Sequence, residues 1–150
     1  RRLHSEVDDA TTNAVTQVAR FTHTSSGTPA TGIGVGIEFE VETAAGNNEV
    51  GATIEAVSTD VTSTSEDFDL VVKAMSAGAA AAEVGRHKST GTYKMPVFTV
   101  ANLPAGTAGE ISFASNGRKN GEGAAAGTGV LVFHDGTAWR ACDTGATVAA

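Results

Sequence analysis

Four histidines, one cysteine and 17 carboxylates are the side chains from which a reactive or ligating site would be built in this 150-residue sequence. His4, His23, His87 and His134 are scattered, with neither His-Glu-x-x-His spacing nor a Cys-His cluster, so they do not compose a single-chain metal site. Cys142 has no partner for an internal disulfide, and Asp143 beside it opposes a thiolate; a buried or inert thiol in the final strand is the expectation. No Gly-x-Ser-x-Gly elbow is present to hold a nucleophilic serine.

The carboxylates fall into two groups. Glu38, Glu40 and Glu42 alternate along one strand, and Glu66-Asp67-Phe68-Asp69 follows a turn. A glycosidase needs only two carboxylates about 5–10 Å apart, but these read more simply as a solvated strand face and a strand entry. The second group also lacks the spaced oxygen ligands of a calcium loop. Of the glycine runs, Gly32-Ile33-Gly34-Val35-Gly36 has Ile37 where a dinucleotide loop needs its third glycine. Gly121-Glu122-Gly123 leads to Gly127-Thr128-Gly129, with no helix to receive a phosphate. Close strand packing and a flexible loop account for them. Arg118 and Lys119 on that loop offer two charges to an anionic partner, a weak signal by itself. The expectation is a protein that is not an enzyme and carries no cofactor.

The elements that would position these residues are strands. Val35, Ile37, Phe39 and Val41 alternate with Gly34, Gly36, Glu38 and Glu40, a half-buried strand over 33–42. Phe68, Leu70, Val72 and Ala74 repeat the pattern against Asp67, Asp69 and Lys73. Between them, 54–61 is β-branched with a slip in its alternation that a bulge would explain, and Ala44-Ala45-Gly46-Asn47-Asn48 is the hairpin turn. Residues 77–84 read as extended, and 92–101 as a strand that Pro96 places at an edge or bend. A short strand over 110–114 and a long loop over 116–129 follow. Asp135-Gly136 then predicts a two-residue hairpin turn, with His134 opposite Thr137 and Val132 opposite Trp139. The fold class is all-β, nine or so short strands without a convincing helix.

Composition limits what these strands can bury. Ala, Thr and Gly number 26, 20 and 18, whereas Leu, Ile, Val and Phe together number 30. Few side chains can each contribute the ~1.5–3 kcal/mol of a buried Leu, Ile or Phe, so an obligate oligomer that merges several weak cores is expected. The net charge of −7 argues against a basic nucleic-acid binder and against an anionic membrane surface, and no run approaches a membrane-spanning length. Residues 1–85 carry −9 and residues 86–150 carry +2, a change of module near Gly85. The chain opens on Arg1 without an initiator Met, which fits a processed chain or part of a longer one.

Two stretches carry a resemblance. Phe21-Thr22-His23-Thr24-Ser25-Ser26-Gly27-Thr28-Pro29-Ala30 leads into Gly32–Phe39 and continues through Ala44–Asn47 to Ala79-Ala80-Ala81-Ala82-Glu83. Leu103-Pro104 is followed by Asn116-Gly117-Arg118-Lys119, by Gly127–Val130 and by Asp135-Gly136-Thr137-Ala138-Trp139-Arg140. They resemble the β modules and C-terminal caps of fibre and appendage proteins of tailed bacteriophages, departing from the pattern after Arg86. The resemblance implies an intertwined homotrimeric β structure on the virion exterior, with 21–90 as shaft and 91–150 as a hairpin-containing cap; residues 1–20 are then an N-terminal segment or attachment end. It implies a tail fibre or, alternatively, a capsid-attached head fibre or decoration protein, with other virion proteins and host-surface glycans as partners, and neither nucleic-acid binding nor membrane insertion. In such a trimer His23 and His87 are the candidates for an axial ion site, since one histidine per chain gives three ligands. As a carbohydrate-binding tip, the chain would use Trp139 or Tyr93 to stack on a sugar face.

Overall fold

A computed structural model describes residues 3–150 of the chain. Residues 3–33 form no strand or helix, and regular structure begins where the alternation does. β1 (Gly34–Glu42), β2 (Asn48–Asp60), β3 (Asp67–Ser76), β4 (Ala79–His87) and β5 (Tyr93–Lys94) make an antiparallel meander in sequence order. β6 (Val97–Phe98), β7 (Ile111–Ala114), β8 (Val130–His134) and β9 (Trp139–Ala141) make a second sheet, also in order, with β6 and β7 parallel. The run 92–101 therefore divides between the two sheets at Met95-Pro96, ending in a 3₁₀ turn at Val100–Asn102. Proline has no N–H for a continuing ladder, which makes this the natural crossing point.

Glycine in β1 serves close approach. A Cβ on Gly34 would lie 2.4 Å from the Ala56 carbonyl oxygen, so only a residue without a side chain lets the strands cross there. The expected slip in β2 is present as a register shift, but between Ser58 and Asp60 rather than near Val57. Val57 consequently stays on the face opposite Ile54's neighbours, paired with Asp69.

The tight two-residue turn lies where no Asn-Gly or Asp-Gly marks it. Ala77 (φ 51°) and Gly78 (φ 74°) join β3 to β4, with Ser76 opposite Ala79, the geometry of a type I′ turn. At Asp135-Gly136 the expected register is corrected: His134 faces Trp139 and Val132 faces Ala141, leaving a four-residue loop. The Asp135 carboxylate is the cause. It accepts the N–H groups of Thr137 and Ala138, both at 2.8 Å, and Arg140 Nε at 2.6 Å, which holds the loop open.

Burial separates the modules. Of the seven buried apolar residues among those described, Val71 alone belongs to the first sheet; Ala114, Val130, Val132, Trp139, Ala141 and Val148 form one cluster in the second, with Val100 and Leu103 packed against it. Trp139 donates its indole N–H to the Pro104 carbonyl at 2.8 Å and meets the His134 ring edge-on at 5.3 Å. The second sheet has a core of its own, and the first sheet does not.

Candidate functional site: an open apolar sheet face

Register determines which side chains share each face of the first sheet. One row across it runs Val35–Ala56–Leu70–His87–Tyr93, the next Ile37–Ile54–Val72–Gly85, and a third Phe39–Ala52–Ala74–Ala82. This face is apolar, and among the described residues no segment covers its large side chains: Ile54 is 41% exposed, Leu70 46%, Phe39 50% and Phe68 51%. Its large side chains alone present several hundred Å² of apolar surface, a patch of the size that marks interaction sites. At one end of the face a concavity of about 300 Å³ opens between Pro29, Ile33, Val61 and Phe68.

The opposite face is charged and internally satisfied. Lys73 Nζ lies 2.8 Å from Glu55, and Arg86 bonds both Asp69, at 2.8 Å, and Glu83. Asp69 also accepts the Ser89 N–H at 3.0 Å; that bond first, then Arg86, holds its carboxyl below the usual range. Lys73 and then Thr53 lower Glu55 in the same way, and the two carboxylates hold the Arg86 guanidinium more firmly protonated than usual. Asp69 is therefore no exposed strand-entry carboxylate: its side chain is 1% accessible. No local pattern announces this, because Arg86 is 17 residues away and only the pairing of Val71 with Arg86 brings it near.

The ion pairs thus lie on one face, around Val57 and Val71, and the large exposed apolar side chains on the other. The chain exposes 10,581 Å², where a compact monomer of 15.1 kDa would expose about 7,100 Å². The surplus is of the order that an obligate interface removes. Besides the open face, residues 3–33 expose apolar side chains, with Val15 86% and Phe21 57% exposed.

The remaining candidates are dispersed. Among the described residues, no three His, Cys, Asp or Glu side chains converge as a metal site. His23 sits at the outer edge of β1, its Nδ1 2.7 Å from the Gly34 carbonyl, to which it donates. His87 packs its ring 5.0 Å from that of Tyr93 on the apolar face. His134, buried in β8, accepts the Gly136 N–H through Nδ1. Tyr93 is 53% exposed and lies across Gly85, where a Cβ would meet its hydroxyl at 2.1 Å. Trp139 is 9% exposed, with its ring packed in the core rather than offered to a sugar. Cys142 is not buried in the last strand; it follows β9 and is exposed.

The sequence marks Arg118 as one of two loop charges, but not that part of its side chain is buried. Its Nε is buried without a hydrogen-bond partner, a state that costs about 1–3 kcal/mol unless something outside the chain satisfies it.

No family model, curated protein or solved structure matches the chain.

Proposed function

We propose that the chain is a non-enzymatic structural component of a phage virion, a homotrimeric fibre in which three copies bury the apolar face of the first sheet against one another. The observation that carries the assembly is that face: a five-stranded sheet with one buried apolar residue, a satisfied charged side and an unsatisfied apolar side. Burial of apolar area is what drives a chain with such a sheet to associate. A ring of identical copies is the economical closure, because each supplies the surface the next one lacks. The glutamates at 38, 40 and 42 then lie toward solvent, and the small residues Ala52, Ala56 and Ala74 allow the sheets to approach closely.

The virion assignment rests on the likeness of 21–90 and 103–140 to phage fibre modules. In this reading the autonomous cap closes the fibre, and residues 3–33 reach toward the body that carries it. The partners are other virion proteins, on the tail or, in the alternative reading, on the capsid as a head fibre, with host-surface glycans at the free end. Antibody labelling of intact particles tests it: label on an external projection is expected, and particles devoid of the protein would overturn it.

A further inference from the structure

We infer that the concavity beside Arg118 binds an oxyanion, a carboxylate or a phosphate, carried on a body no larger than about one sugar ring. The concavity has a volume of about 220 Å³ and lies between loop 118–122 and segment 141–149 of the cap module. This is below the ~300–1,000 Å³ of sites for drug-sized ligands, which sets the size of the occupant.

Arg118 is the unsatisfied group lining it. Its backbone is fixed by the N–H bond to the Ala149 carbonyl at 2.8 Å, yet Nε is buried without a partner. Arg86 and Arg140 each hold a carboxylate, at 2.8 and 2.6 Å, whereas among the described residues no carboxylate lies within ion-pair distance of Arg118. The two nearby acids are committed to the loop itself. Glu122 accepts the Lys119 N–H at 2.7 Å and the Thr128 hydroxyl at 2.5 Å, and Asp143 accepts the Asn120 N–H at 2.7 Å. Lys119 adds a second positive charge and is steered by its bond to Thr128 Oγ1 at 2.8 Å.

Guanidinium donors match the planar fork of a carboxylate or the face of a phosphate, and Arg118 is half-buried with no carboxylate to occupy it and its Nε unpaired. The rest of the lining suits a ring: Ala141, Ala146 and Val148 give an apolar floor, and Thr144 a hydroxyl at the rim. Two kinds of surface polymer present this chemistry, a polysaccharide with uronic-acid units and a phosphodiester polymer. The site is formed within one chain, so the inference stands independently of the assembly proposed above.

The test is a titration of the full chain, labelled with ¹⁵N, at low ionic strength with sodium glucuronate and separately with inorganic phosphate. Saturable shifts confined to amides of 118–122 and 141–149 are expected for at least one probe. Glucuronate alone would assign the site to uronic acids, and phosphate alone to phosphodiesters. Arg118→Gln should weaken binding at least tenfold, Arg118→Lys should fall between, and Lys88→Gln should leave binding unchanged. Three outcomes overturn the inference: no saturation with either probe, undiminished binding by Arg118→Gln, or a wild type that binds neither probe while Arg118→Gln alters the assembled mass. In the last case the guanidinium serves a contact between copies.

Discussion

Ile54 lies at the centre of the apolar face, between Ile37 on β1 and Val72 on β3, and is 41% exposed in the single chain. If copies of the chain cover this face, Ile54→Ala removes the burial of that remaining surface in every copy. A fully buried Ile is worth ~1.5–3 kcal/mol, so the open part represents about 1 kcal/mol per chain and about 3 kcal/mol per trimer. That is about two decades in a trimer association constant, which varies with the square of concentration, so the dissociation midpoint should rise about tenfold. Ile54→Asp should abolish the trimer throughout the micromolar range, because it places three carboxylates in an apolar interface. Sedimentation velocity over a dilution series reads both effects. Glu38→Gln, on the opposite face, is the control and should leave the midpoint unchanged. Equal midpoints for wild type and both Ile54 variants would refute the reasoning, as would a shift caused by Glu38→Gln but not by Ile54→Asp.

Three further predictions concern single chains. Ala77→Asn should raise stability by about 1 kcal/mol in chemical denaturation, because Asn tolerates the positive φ at which alanine is strained. Gly106→Ala should destabilise the second sheet by about 1–3 kcal/mol and perturb Trp139 fluorescence, since a Cβ there would lie 2.5 Å from His134 Cδ2 and 3.1 Å from Trp139 Cζ2. Asp135 is held well below the usual carboxylate range, first by the Ala138 N–H and then by Arg140. A depressed folded-state value gives stability that is present above the unfolded value near ~3.9 and is lost as pH falls toward the folded one. The wild type should therefore melt above Asp135→Ala at pH 6, and the gap should close only well below pH 4.

Alternation made the first sheet legible. The periodicity of 33–42 and 67–74 places the same side chains on one face as the observed register does, because a strand's period of two leaves no freedom once the pairing is in register. Turn chemistry was the weaker guide. Asp135-Gly136 carries the usual dipeptide of a tight turn, yet the aspartate spends its carboxylate on two amides and an arginine and widens the loop. Ala77-Gly78 carries no such sign and makes the tight turn because Ser76 and Ala79 are already paired. The charged cluster of Asp69, Glu83 and Arg86 and the orphaned Nε of Arg118 depend on contacts between distant residues, to which local patterning is blind. The scarcity of large side chains did anticipate the missing core of the first sheet. The second sheet, by contrast, gathers Trp139, Val132 and Val148 into a core of its own.

The central claim is that the first sheet is completed by other copies of the chain. Light scattering of the wild-type protein at micromolar concentration, with hydrogen exchange on the same sample, tests it most directly. The account predicts a mass three times the 15.1 kDa of one chain and protected amides in β2 and β3. A stable 15.1 kDa species with those same amides protected would contradict it.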